Sequence, residues 1–150
     1  MEYDDTEELR RELAYRLVKE LRFYRSLYVL VERQRDAAQR GAEADLALSY
    51  GELDAIMGGL KESQFAIAAM REKEPELFVR ASQKSPIPDM VNEARDILAE
   101  THRVLKQGTD AVRKHCKKIQ DELSRLGREH SALHAYAPPP DAGQILDGRR

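Results

Sequence analysis

An apolar residue recurs at every seventh position through the C-terminal half of the chain. The series is Val91, Leu98, Leu105, Val112, Ile119, Leu126 and Leu133. A seven-residue repeat sustained over this many intervals is typical of a long helix that packs along other helices. No proline falls between Val91 and Tyr136, and a helix of that length would extend for roughly 70 Å at its standard rise per residue. The repeat therefore predicts an elongated, all-α protein built along one long helix.

The positions three residues after each member of this repeat change in character along the helix. In chain order they are Ala94, Thr101, Gly108, His115, Glu122, Glu129 and Tyr136. The first three are small and would allow a neighbouring helix to approach closely, whereas the next three are polar. The apolar stripe shifts there to Ile119, Leu123 and Leu126. We expect the first half of the helix to pack inside the chain and its last third to be thinly covered.

Two further helices are expected before the long one. Apolar residues in steps of three and four predict a helix over about 5–40, in which charged residues such as Glu20 form a solvated face. Gly41 is a stop signal. A second helix is predicted over about 45–73, with Asp45 as its preferred N-cap and one continuous apolar stripe. The Gly58-Gly59 pair inside it marks either a close helix crossing or a bend.

Prolines define the remaining boundaries. Pro75 should end the second helix or begin a short separate one, and a loop is expected over 82–88. Asp89 is the expected cap of the long helix, predicted over about 89–136. Short connections make successive helices antiparallel. The predicted domain, 1–137, is thus an antiparallel helical hairpin plus a long C-terminal helix, a three-helix bundle. A Pro-rich linker and flexible tail follow over 138–150.

Composition excludes several classes of protein. The 150 residues are 41 % hydrophobic and 35 % charged, with a net charge of −2, which argues against a protein built mainly to neutralise nucleic acid. No apolar run approaches the ~18 residues of a membrane helix, and the first residues do not resemble a secretion signal. Cys116 is the single cysteine. We therefore expect a cytoplasmic protein that neither binds nucleic acid nor inserts into a membrane.

Residue types that carry chemistry are present but not in catalytic patterns. His130 and His134 have the i, i+4 spacing of metal ligands, yet further ligands would have to come from other helices, so no metal site is expected. Cys116 and His115 are consecutive, and consecutive helical side chains point about 100° apart. The basic residues around Lys117 are interspersed with acidic ones and read as a solvated helix face. We expect neither enzymatic activity nor a cofactor.

Two stretches of the chain carry a family resemblance. The first runs from Leu21 to Leu60 and contains the sequence ERQRDAAQRGAEADLALSYGELDAIMGGL, in which Gly41 is followed shortly by Asp45-Leu46. The second is the end of the chain, where a long amphipathic helix closes in LHAYAPPP and is followed by a small-residue linker and GQILDGRR. The first stretch resembles the first hairpin of the FlgN-like flagellar chaperones, including its turn, and the second is similar to that family's last helix and tail.

The resemblance implies a cytoplasmic chaperone of the hook-associated proteins at the hook–filament junction, which it would deliver to the type III export gate or to components of the export ATPase. In that family the end of the last helix and the tail bind the client, and a tyrosine near the helix end docks at the gate. Tyr136 occupies the matching place for gate docking. The client-binding residues expected here are Ile119, Leu123, Leu126, Leu133, Ile145 and Leu146.

The residues also allow a function of another class. An exposed stripe on a long helix could pair with the same stripe of a second copy, which would make the chain a self-associating coiled-coil scaffold or adaptor, present as a homodimer. The sequence does not choose between a client helix and a second copy, and it does not identify the client.

Overall fold

The computed structural model describes the backbone of residues 2–135 and the side chains of residues 4–129. Within residues 2–135 the chain forms helices and no strand, so the predicted all-α class is confirmed. The helices are α1 (Glu2–Arg40), α2 (Glu43–Lys73), α3 (Pro75–Ser82) and α4 (Ile87–Ala135). The short helix α3 is one of the two outcomes expected at Pro75. No helix among the described residues is both long enough and apolar enough to cross a membrane.

Gly41 ends α1 as predicted. Its φ of 69° lies in the left-handed region that glycine adopts without strain. The amide of Ala42 donates to the carbonyl oxygen of Ala37 at 2.9 Å, and the amide of Gly41 donates to that of Ala38 at 3.2 Å. These two bonds form a Schellman motif, which satisfies carbonyl groups that the last turn of a helix would otherwise leave without partners.

The predicted N-caps were wrong. Helix α2 begins before Asp45, its N-cap residue is Ala42, and no side chain caps it. Helix α4 already begins at Ile87, because the amide of Met90 donates to the carbonyl oxygen of Pro86 at 3.1 Å. Asp45 and Asp89 instead lie in the first turns of these helices, where a negative charge favours the positive end of the helix dipole. The connection before α4 is therefore shorter than the predicted loop.

The chain divides into two compact units, Met1–Val112 and Arg113–Arg150. The core of the first unit contains Leu21, Tyr24 and Leu60, from α1 and α2. Partly buried side chains surround it, namely Phe23, Leu27, Ile56, Met90, Ala94 and Ile97. The N-terminal part of α4 thus packs on the hairpin of α1 and α2, as expected for its first half.

Two glycines mark places where helices pack closely together. A Cβ atom added to Gly108 would lie 3.3 Å from the Cα atom of Arg35, so α4 comes close to the backbone of α1. A Cβ added to Gly59 would overlap ring atoms of Phe23, whereas one added to Gly58 would meet nothing within 4 Å. The expected close approach at Gly108 is confirmed, and Gly59 marks a close packing contact.

The seven-residue series itself is not the buried seam of the first unit. Leu98, Leu105 and Val112 are exposed, whereas Thr101 and Val104, on the adjoining side of α4, are buried. The small residues at Thr101 and Gly108 let the helix approach through that side, and the larger leucines remain at the edge of the contact.

A buried polar pair lies where the sequence predicted a solvated face. Glu20 is buried, and its Oε1 accepts a hydrogen bond of 2.5 Å from the hydroxyl of Tyr24. Burial, together with this hydrogen bond to Glu20, raises the pKa of Tyr24 to about 12. The expectation of a solvated Glu20 was therefore wrong, and the hydrogen bond from Tyr24, one turn further along α1, offsets part of the cost of its burial.

Candidate helix-binding surface

Three apolar side chains of the second unit form an exposed stripe on α4. Ile119, Leu123 and Leu126 retain 43 %, 62 % and 47 % of their full exposure. Their i, i+4, i+7 spacing places them on one face of the helix. We call these three residues the apolar stripe. The expected thin covering is confirmed for these side chains, whereas their role in binding a client stays a prediction.

The other predicted site residues cannot be placed in the same way. Leu133 lies in α4, but its side chain is outside the described residues. Tyr136, Ile145 and Leu146 also lie outside them, as does the predicted linker and tail over 138–150. The roles expected for these residues stay predictions.

The apolar stripe lies in a fully exposed stretch of helix. Every residue from Cys116 to Glu129 is exposed, and His115 is the last partly buried residue before it among the described side chains. Arg125 pairs along the helix with Glu122 at 2.5 Å and with Glu129 at 2.8 Å. Such i, i+3 and i, i+4 pairs support a helix that lacks tertiary packing. The stretch is thus held by local interactions, and its apolar face remains accessible.

Four cations precede the apolar stripe in the sequence of α4. Arg113, Lys114, Lys117 and Lys118 are all exposed, and no acidic residue lies between them in the sequence. Within the described part of the chain no ion pair involves these four side chains, in contrast to Arg125. We call these four residues the basic collar. Its charge would attract a partner that carries acidic residues beside its own apolar face.

The first unit contains several open grooves, two of which differ clearly in their lining. One, of about 240 Å³, lies between α1, α2 and α4, and its floor is formed by buried Val31 and Ala38. The other, of about 560 Å³, is lined mainly by charged residues near Asp5 and Lys73. Among the described residues that line these grooves, no nucleophile is placed against a histidine base. Neither groove suggests a reaction.

The described residues do not form a metal-binding site. No three side chains of His, Cys, Asp or Glu are grouped there so that they could hold a metal ion. The side chains of His130 and His134 are outside the described residues, so the expected absence of a metal site stays a prediction. Cys116 is exposed on α4.

A second exposed apolar face lies on α2 and was not predicted from the sequence. Leu48 and Phe65 retain 76 % and 78 % of their full exposure. The periodicity predicted a single apolar stripe for α2, through Leu46 and Leu60. The missed signal was a second series at the same spacing of three and four residues, containing Leu48, Gly51, Ala55, Gly58 and Phe65.

The fold and these surfaces define the class of the molecule as an all-α helical protein with exposed apolar helix faces. Comparison with protein-family models, with curated proteins and with solved structures found no match for the chain. The likeness to the FlgN-like chaperones therefore rests on the sequence features described above.

Proposed function

We propose that the chain is a non-enzymatic chaperone that holds an amphipathic helix of a client protein on the apolar stripe of α4. The observation that carries this proposal is the exposure of Ile119, Leu123 and Leu126 on one helical face. Apolar residues at i, i+4 and i+7 are the usual anchors between an amphipathic helix and its groove or partner helix. Their coverage by a client would remove apolar surface from water, which is worth roughly 25 cal/mol per Å².

The basic collar supports a particular kind of client helix. At about 100° per residue, Arg113 and Lys118 lie towards the two flanks of the stripe, whereas Lys114 and Lys117 lie on the opposite side of α4 and act only through their longer-range charge. Acidic residues on the polar edge of the client helix would speed association and select the register of binding. The client segment is thus an amphipathic helix with an acidic edge.

The collar also argues against the alternative of a scaffold in which α4 pairs with itself. In a parallel, in-register pair, the basic collars of the two copies would lie at the same level along the pair, on its flanks and outer surface. Like charges at the same level repel each other, and salt weakens this repulsion. A client of opposite charge fits the same stripe without this repulsion.

The narrower form of the proposal rests on the resemblance to the FlgN-like family. In this form the clients are hook-associated proteins of the flagellum, and the chain is cytoplasmic and delivers them to the type III export gate. Leu133, Ile145 and Leu146 would extend the client contact beyond the apolar stripe. Tyr136 would dock the loaded chaperone at the gate or at a component of the export ATPase.

Calorimetric titration of the full chain with a purified hook-associated protein tests client binding. Leu123→Glu should weaken binding by more than about tenfold, because it removes an apolar anchor and places a charge in the contact. Ser124→Glu adds the same charge at the next exposed position, on a different side of the helix, and should change the affinity little. Equal affinities for the chain with Leu123→Glu and the unaltered chain would reject the apolar stripe as the client site.

The gate-docking role can be separated from client binding with Tyr136→Ala. This variant should bind the client as the unaltered chain does and fail to bind the purified export-gate component. Loss of client binding in the Tyr136→Ala variant would contradict the proposed division of roles.

A further inference from the structure

Helix α2 presents an exposed face that nothing in the described chain covers. Its members follow one another at steps of three and four residues and therefore lie along one side of the helix. They are Ala44, Leu48, Gly51, Ala55, Gly58, Glu62, Phe65 and Ala69, and each of them is exposed. We call these residues the α2 face. The residues at the centre of this face, Gly51, Ala55 and Gly58, are small. Its two large apolar side chains, Leu48 and Phe65, lie towards its ends.

Packing within the chain does not explain this composition. A Cβ atom added to Gly51 or to Gly58 would meet nothing within 4 Å, in contrast to Gly59, which packs against Phe23. Glycine is less favourable than any other residue except proline in the interior of a helix. Two glycines at open positions, together with two large apolar side chains in water, indicate a face that meets another helix.

We propose that the α2 face pairs in antiparallel orientation with the α2 face of a second copy of this chain. A two-fold axis between Ile56 and Met57 places Leu48 opposite Phe65 of the second copy and Ala55 opposite Gly58 of the second copy. The large side chains at each end then meet each other, and the small residues at the centre let the two backbones come close. A two-fold contact of this kind requires a surface that is complementary to itself, and the α2 face meets that requirement.

The charges beside the α2 face fit the antiparallel pairing. At about 100° per residue, Asp54 and Lys61 lie on the same edge of the α2 face, and both residues are exposed. The same two-fold axis brings this edge of one copy against the same edge of the other, so Lys61 lies close to Asp54 of the second copy and the two charges attract. A parallel, in-register pair would bring opposite edges together and would not form this charge pair.

Glu62, the charged member of the α2 face, is also compatible with the antiparallel arrangement. Glu62 lies opposite Gly51 of the second copy in the antiparallel arrangement, where no side chain blocks the path of its carboxylate to water. The contact would run from Ala44 to Ala69, about 40 Å of helix at the standard rise. This homodimer uses residues other than those of the proposed client site, so either proposal can fail without the other.

Sedimentation equilibrium of the full chain over a range of concentrations tests the proposal. The unaltered chain should show a reversible monomer–dimer equilibrium. Gly58→Gln adds a side chain at a position that is open in the monomer, and it should raise the dimer dissociation constant by at least about tenfold by holding the backbones apart. Gly127→Gln is the matched control, because Gly127 on α4 is also open, and it should leave the dissociation constant unchanged.

A monomer at every concentration, or a dimer that Gly58→Gln does not weaken, would overturn the proposal. The orientation is tested by disulfide trapping with oxidised glutathione in chains that also carry Cys116→Ser. A mixture of one chain with Leu48→Cys and another with Phe65→Cys should yield mainly the mixed cross-linked dimer. Each variant cross-linking mainly with itself would indicate a parallel pair and overturn the antiparallel arrangement.

Discussion

The contrast between the two parts of α4 can be measured as a difference in folding free energy. Val104 is fully buried in the first unit, whereas Leu123 in the second unit retains 62 % of its exposure. Val104→Ala removes two buried methyl groups and leaves a cavity, and we expect it to lower the free energy of unfolding by about 2 kcal/mol. Leu123→Ala removes a larger side chain, but less than half of it is covered.

The cost of Leu123→Ala should therefore be below about 1 kcal/mol, and the higher helix propensity of alanine offsets part of it. Urea unfolding followed by far-ultraviolet circular dichroism measures both values on the same scale. The larger truncation should thus have the smaller effect. If Leu123→Ala destabilised the chain as much as Val104→Ala, Leu123 would be packed within the chain, and the exposed stripe would not be a free binding surface.

Three further predictions concern the first unit. Gly41→Ala should lower the free energy of unfolding by about 1 kcal/mol, because the φ of 69° disfavours any residue with a Cβ. Gly127→Ala, at an open helical position outside the α2 face, is the control and should be neutral or stabilising. Gly59→Ala should lower the free energy of unfolding, because displacing the Phe23 ring costs about 1–3 kcal/mol, which exceeds the gain of about 1 kcal/mol in helix propensity. An increase in the free energy of unfolding would show that the ring can move aside without cost. Tyr24 stays protonated in the folded chain up to about pH 12, but in the unfolded chain it ionises near its ordinary pKa of 10.0. Its contribution to the free energy of unfolding is therefore complete below pH 10 and is lost as the pH rises to about 12. Unfolding at these pH values should show a decline of about 2 kcal/mol that Tyr24→Phe removes, and an equal decline in both proteins would contradict the assignment.

The helices could be predicted from the sequence because their ends and periods are local properties. Gly41 ends α1 through its own backbone conformation, and Pro75 begins α3 because a proline fits the first turn of a helix. The small residues Thr101 and Gly108 correctly indicated the close approach of α4 to α1. The thin covering of the stripe near Leu123 followed from its polar neighbours in the heptad pattern.

The errors concern features that depend on which side of a helix meets another helix. Leu98 and Leu105 belong to the most regular apolar series, yet the seam runs beside them because smaller residues permit closer contact. Glu20 is a residue type typical of surfaces, yet it is buried, and a hydrogen bond from Tyr24 of the same helix satisfies its carboxylate. The α2 face was missed for a related reason: α2 is apolar on more than one side, so its periodicity does not identify a single buried stripe.

Hydrogen–deuterium exchange of the full chain, with and without a bound client, tests the proposed client site most directly. We predict that the client, a hook-associated protein, slows amide exchange in the exposed part of α4 around Ile119, Leu123 and Leu126, because coverage of the apolar stripe stabilises this helix. Amides of the buried core around Leu21 should change little. A client that binds the chain and leaves exchange around the apolar stripe unchanged would contradict the proposed role of this surface.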